Sequence, residues 1–286
     1  MKINRIILFA LSFLLLTGCT SAPERKENDK MQVYTSFYAM YDFAKQIGDG
    51  AADIHLLCPV GTEPHDFEPK TSDMAKLTEA DVFIYNGMGM ESWTEDVIKT
   101  LKNPIIVEAS KDIPYIAENY DPHVWLNPQN ALKQMENIKD AFCERDSKNA
   151  DTYEENFREC EMKINELCDK YNEASQEFSD RNVIVAHAAY GYLCDAFNLN
   201  QTPIEGMHGE GGASPARMAE VVNFIRDNDV KYIFATSLES GKTMETIAKE
   251  TDTQILVLNP FEGDTDGKDY FSVMEENLTS LKKALN

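Results

Sequence analysis

Histidine is scarce in this chain, with five among 286 residues. Basic residues are few as well: 27 Lys and Arg stand against 49 Asp and Glu, a formal net charge of −22 at pH 7. A surface of that sign repels phosphate, which argues against nucleic acid or an anionic bilayer face as partner. No Cys-x-x-Cys and no His-Glu-x-x-His occurs, so neither a local zinc-finger staple nor that zinc-protease signature is present. Beyond the first sixteen residues no apolar run approaches the roughly 20 residues of a membrane span. Glycine and proline are absent from 129 to 178, which excludes a loose hinge there and favours continuous helix.

What is present begins with an address. Lys2 and Arg5 precede an apolar stretch over 6–16, then Leu16-Thr17-Gly18-Cys19. The stretch is short for a span and suits a signal-peptide core. The small residues before Cys19 resemble a bacterial lipobox, which makes Cys19 the expected lipidation site. Residues 1–18 are therefore read as a lipoprotein signal peptide and 19–30, polar and charged, as a disordered tether. The expected location is extracytoplasmic, held to the cell membrane by lipid alone. Five other cysteines, an odd number, leave at least one thiol outside any internal disulfide. Cys160 and Cys168 sit about 12 Å apart along a helix, too far to bond. These cysteines read as buried apolar fillers.

The body alternates strand and helix. Short β-branched and aromatic runs at 32–36, 53–59, 82–85 and 105–108 predict strands, with helices over 38–47, 72–77 and 92–101. The pattern returns with strands near 183–186, 202–205, 232–235 and 255–258 and helices over 190–197, 215–228, 241–250 and 270–284. Strands alternating with helices imply parallel sheets covered on both faces. Between the halves, 131–142 and 149–178 carry helical spacing, with Ile164, Leu167 and Tyr171 on one stripe of a charged helix. A helix of about 30 residues spans roughly 45 Å and acts as a strut. The expected fold is α/β: two (β/α) lobes with parallel sheets, 31–146 and 180–286, joined by a long rigid helix over 147–179.

Three histidines fall just past strands, where open α/β sheets build ligand sites. His65 lies in Gly-Thr-Glu-Pro-His-Asp-Phe-Glu-Pro, with Glu63, Asp66 and Glu68 as carboxylates able to orient its ring. His123 lies in Asp-Pro-His-Val-Trp-Leu-Asn-Pro, where Trp125 is expected to pack. His187 ends the run 183–186. Each alone also suits a solvated loop, an interface filler or a capping residue. Separated by 58 and 64 residues, they can meet only through the fold. By the same logic Glu262, beyond strand 255–258, completes a fourth ligand. Three imidazoles and one carboxylate suit tetrahedral Zn²⁺ better than Ca²⁺, which takes more oxygens, while other first-row metals stay open. His55 lies inside a strand and reads as structural.

These four segments, closing with Leu-Asn-Pro-Phe-Glu-Gly at 258–263, resemble the metal-binding solute receptors of bacterial zinc and manganese ABC importers. The resemblance runs from about residue 32 to 285 and includes the lipobox. It implies a metal held in the interlobe cleft by His65, His123, His187 and Glu262, and an ABC permease membrane subunit as partner of a monomeric receptor. Its manganese members typically carry Glu and Asp where His187 and Glu262 stand, so the zinc branch and Zn²⁺ rather than Mn²⁺ are implied.

Three departures mark this chain. Residues 111–120 hold no histidine, where many zinc receptors have a His-rich loop. Thr236 replaces a usual Glu, and 207–215 read Met-His-Gly-Glu-Gly-Gly-Ala-Ser-Pro. In that stretch His208 and Glu210 are read either as an accessory metal-capture pair or as a solvated loop. A zinc hydrolase is the competing class; four protein ligands would leave its catalytic water no position, so no enzyme activity is expected. Surface adhesion stays open beside transport.

Overall fold

The computed structural model describes residues 30–116, 121–206, 213–236, 242–263 and 265–286. Cys19, His208 and Glu210 lie outside them. The N-terminal half runs β1 (Met31–Thr35), α1 (Tyr38–Gly48), β2 (Ala52–Leu56), α2 (Thr71–Glu79), β3 (Val82–Tyr85), α3 (Thr94–Ile98) and β4 (Ile105–Glu108). A 3-10 turn over Val124–Leu126 leads into α4 (Pro128–Arg145) and α5 (Ala150–Glu177). The C-terminal half runs β5 (Asn182–Val185), α6 (Gly191–Ala196), β6 (Asn200–Pro203), α7 (Pro215–Asp227), β7 (Tyr232–Ala235), α8 (Lys242–Thr251), β8 (Gln254–Val257) and α9 (Tyr270–Leu285).

Two four-stranded sheets result, ordered β2-β1-β3-β4 and β6-β5-β7-β8, with every pairing parallel. The two orders correspond, so each sheet has its first strand inside and turns outward in both directions from it. That arrangement opens a crevice at the carboxyl ends of the strands. In β1 the side chains of Met31, Val33 and Thr35 are buried while Gln32 and Tyr34 between them are partly exposed, the period-2 pattern of a strand.

Expectation and structure differ at element ends. The strand expected to 59 is regular only to Leu56; the Leu57 and Cys58 N–H groups still bond the Thr35 and Ser36 carbonyls, and Pro59, with no N–H, ends that run. The helix expected over 92–101 shrinks to five residues, where Thr94 Oγ bonds back to the Glu91 carbonyl and Trp93 packs among Phe67 and Phe83. The helix expected from 131 starts three residues earlier, with Asn127 capping the Gln129 N–H and Pro128 at the first helical position.

The 28 residues of α5 span about 42 Å. Tyr153, Cys160, Ile164, Leu167, Cys168, Tyr171 and Ala174 form its buried stripe. Asn156 donates to the Ile47 carbonyl of α1, and the Tyr171 hydroxyl to the Met274 carbonyl of α9. The strut is thereby bolted to both lobes. One apolar cluster runs from Met31 through Trp125 and α5 to Leu285, so the two lobes share a core at their joint. All five described cysteines are free thiols, four of them buried. His55 stacks on Tyr34 and meets Gln32 Oε1 at 3.0 Å, a structural role.

Candidate metal centre

Four strand ends supply the candidate ligands. His65 sits in the β2–α2 loop, His123 on the approach to the 3-10 turn after β4, His187 two residues past β5, and Glu262 in the loop after β8. His123, His187 and Glu262 are buried, at 0, 4 and 2 % exposure, whereas His65 is half-buried.

The donor atoms converge. His65 Nε2 is 3.2 Å from His123 Nε2, and His123 Nε2 is 2.8 Å from Glu262 Oε1. Ligand atoms of this trio all lie within 4.8 Å of one another. Bonds of 2.0–2.1 Å to a tetrahedral zinc place ligand atoms about 3.3 Å apart, close to the His65–His123 separation and somewhat wider than the His123–Glu262 one. His187 stands at its rim, with Nε2 3.8 Å from Glu262 Oε1 and its ring 5.6 Å from that of His123. Of the four expected residues, three are thus in one tight group and the fourth borders it.

Asp121 fixes the chemistry of His123. Its Oδ1 accepts from the His123 ring Nδ1 at 2.7 Å and from the His123 backbone N–H at 2.9 Å. A proton held on Nδ1 leaves Nε2 as the lone-pair donor, aimed at His65 and Glu262. Behind it, Asn86 donates to the Pro122 carbonyl and accepts from Gln134. Buried Glu91 in turn holds Asn86 N, Gly87 N and Ser36 Oγ. Burial lifts that carboxyl to about 7.

Glu262 is mounted differently. The Trp125 indole donates to the Pro260 carbonyl at 2.8 Å, and the Tyr270 hydroxyl to the Trp125 carbonyl at 2.7 Å. Phe261 occupies left-handed backbone at φ 62°, a costly state for a bulky side chain. Its fully buried ring seats among Tyr38, Phe43 and Tyr270, which holds the next residue toward His123.

Among the described residues neither Glu262 carboxylate oxygen accepts an aligned hydrogen bond, although both are buried. A buried carboxylate left that way is unfavourable unless a cation meets it. Without a metal, the nearest positive charge available to it is a protonated imidazole. Burial disfavours imidazolium at His123, but the contacts and charges of Asp121 and Glu262 outweigh it and raise the ring above its ordinary value. Burial likewise opposes ionisation of Glu262, yet His123 and His187 hold it far below the usual carboxylate range. The donor set, its spacing and its buried negative charge all fit a divalent borderline metal.

Sequence reasoning named the four candidate residues but not the groups that support them. The Asp-Pro-His spelling at 121–123 was the available signal for Asp121. Of the acids placed around His65, Glu63 meets it through its backbone N–H at 3.4 Å. The Glu63 carboxyl is raised to about 7 by burial and then by the charge of Glu262, so it too faces the site.

A two-lobed parallel α/β body, with a rigid strut and a donor cluster between its sheets, has the build of a solute receptor. The chain belongs to the family described as zinc-uptake complex component A, periplasmic, which it matches over residues 33–284. It is 32% identical to the high-affinity zinc uptake protein ZnuA of Bacillus subtilis strain 168, over 99% of this chain and 98% of that one. The zinc-binding lipoprotein AdcA of Streptococcus pneumoniae R6 is 31% identical; the match covers 99% of this chain and 61% of AdcA. The Zn(II)-bound ZnuA-like domain of S. pneumoniae AdcA superposes with a TM-score of 0.81 at 32% identity, covering 90% of this chain and 99% of that domain.

Proposed function

We propose that this protein is the extracytoplasmic receptor of a zinc importer, capturing Zn²⁺ with His65, His123, His187 and Glu262 and passing it to an ABC permease. The observation that carries this reading is the convergence of two imidazole nitrogens and a carboxylate lacking aligned hydrogen bonds, with a third imidazole at the rim. Zinc binding at His123 Nε2 releases to solvent any proton that the raised His123 ring carries, and His187 closes by a small ring movement to complete four ligands. A filled four-ligand shell leaves no coordination position for an attacking water, which suits carriage rather than catalysis.

Cys19 carries the lipid, 19–30 serve as tether, and the receptor acts as a monomer with lobes 31–146 and 180–286 about the strut 147–179. The strongly acidic composition favours cation approach over anion approach.

The test is elemental analysis of metal-free protein lacking residues 1–19 and offered equimolar Zn²⁺ and Mn²⁺. One zinc per chain is expected, with weakened uptake in His187→Ala. Manganese preference would replace the metal, and absence of any bound metal would remove the function.

A further inference from the structure

Asp121 has a second oxygen, and what lies against it comes from the other lobe. A Cβ built on Gly191 would fall 2.5 Å from Asp121 Oδ2, inside any attainable contact, and 3.3 Å from Ile116 Cδ1. The end of an isoleucine can swing aside. Asp121 cannot do so freely, because its Oδ1 holds both the ring and the backbone N–H of His123. Gly191 opens α6 in ordinary helical backbone and is not among the glycines at positive φ. The glycine is therefore not demanded by conformation. Space for the carboxylate is the remaining requirement.

We propose that Gly191 is a positioning residue for zinc capture: its missing side chain lets the C-terminal lobe close on Asp121, which holds His123 with Nε2 toward the metal. This rests on the zinc reading above and adds a residue in one lobe that sets the orientation of a ligand in the other. The same short helix is set by its neighbours. The Tyr190 hydroxyl bonds the Leu258 carbonyl, and the Tyr192 hydroxyl the Pro114 carbonyl. Held at both flanks, α6 has little freedom to retreat from an added methyl group, so the strain passes to Asp121.

The experiment compares the parent, Gly191→Ala, Asp121→Ala and the double variant. In the metal-free proteins, imidazole NMR follows the downfield Nδ1–H resonance that Asp121→Ala abolishes. Zinc affinity is measured by competition with a chromophoric chelator, and thermal melting monitors folding. Gly191→Ala should lose or shift that resonance and bind zinc about 10–100-fold more weakly, the range for loss of a group supporting a ligand. Its metal-free melting should not fall in step, since Ala is the better helix former. On the Asp121→Ala background the second change should alter neither zinc affinity nor the spectrum.

An unchanged resonance and affinity in Gly191→Ala would overturn the proposal, as would an equal loss of affinity on both backgrounds. If Gly191→Ala fails to fold, a folded double variant supports the clash with Asp121, and an unfolded one refutes it. Should the parent bind no zinc, the function proposed above falls while the NMR comparison still decides the role of Gly191.

Discussion

Two kinds of loop meet at the candidate metal centre. Residues 121–126 and 260–263 are buried throughout, tied to each other by the Trp125–Pro260 bond and backed by the Tyr270–Trp125 bond and the Phe261 wedge. The loop carrying His65 has Pro59, Val60, Gly61, Asp66, Glu68 and Lys70 exposed. His123 and Glu262 come from different lobes, yet they are the better fixed pair, because the lobes share one core at that point. His65 comes from the same lobe as His123 and is the more exposed candidate ligand. Fixity in this site follows packing rather than lobe membership. The proposed metal would therefore meet a packed His–Glu pair first, with the more exposed His65 loop at its edge.

That contrast orders the consequences of substitution. His123→Ala should cost the most, leaving Glu262 buried beside an empty place. Removing one partner of a buried charged pair costs about 3–5 kcal/mol, which is roughly two to four orders of magnitude where zinc affinity bears the whole cost. His65→Ala should cost less, since water can take the vacated position as it does in three-ligand zinc sites; parallel chelator competition measures both. Equal losses would break the distinction between packed and more exposed ligands.

Trp125→Phe keeps a ring in the joint but strands the buried Pro260 carbonyl. Stability should fall by about 1–3 kcal/mol in denaturant titration, with a smaller fall in zinc affinity as Glu262 loosens. Unchanged stability would show that the clamp does not hold the loop.

The pH dependence is gentler. Above its raised pKa the His123 ring is neutral and ready to coordinate; below it, a proton must be displaced. The folded-state pKa is raised, so the pairing stabilises the metal-free fold fully below the unfolded imidazole value and is lost as pH rises through the folded one. Zinc affinity runs the other way, falling between about pH 7.5 and 5.5. Calorimetry in buffers of different ionisation enthalpy should show proton release on binding at pH 7. No release would mean that the ring is already neutral there.

Much of this architecture was legible in local pattern. The strands at Val82–Tyr85, Ile105–Glu108 and Tyr232–Ala235 match their β-branched and aromatic runs to the residue. Each histidine ligand candidate was visible because it follows a strand, and Glu262 by the same reasoning. The start of α4 could have been placed from Asn127-Pro128, a cap followed by a favoured first residue. The clamp could not be read, since Trp125 and Pro260 are 135 positions apart and nothing in either segment names the other. The closeness of Gly191 to Asp121 is hidden for the same reason. A glycine at the start of a helix carries no local mark of the carboxylate it must clear.

Zinc K-edge X-ray absorption on the zinc-loaded protein tests the central claim most directly. Three imidazoles and one carboxylate predict a four-coordinate shell of nitrogen and oxygen at about 2.0–2.1 Å, with the outer-shell scattering of imidazole rings. A sulfur shell near 2.3 Å, or five or six oxygens without imidazole scattering, would place the metal elsewhere and contradict the account.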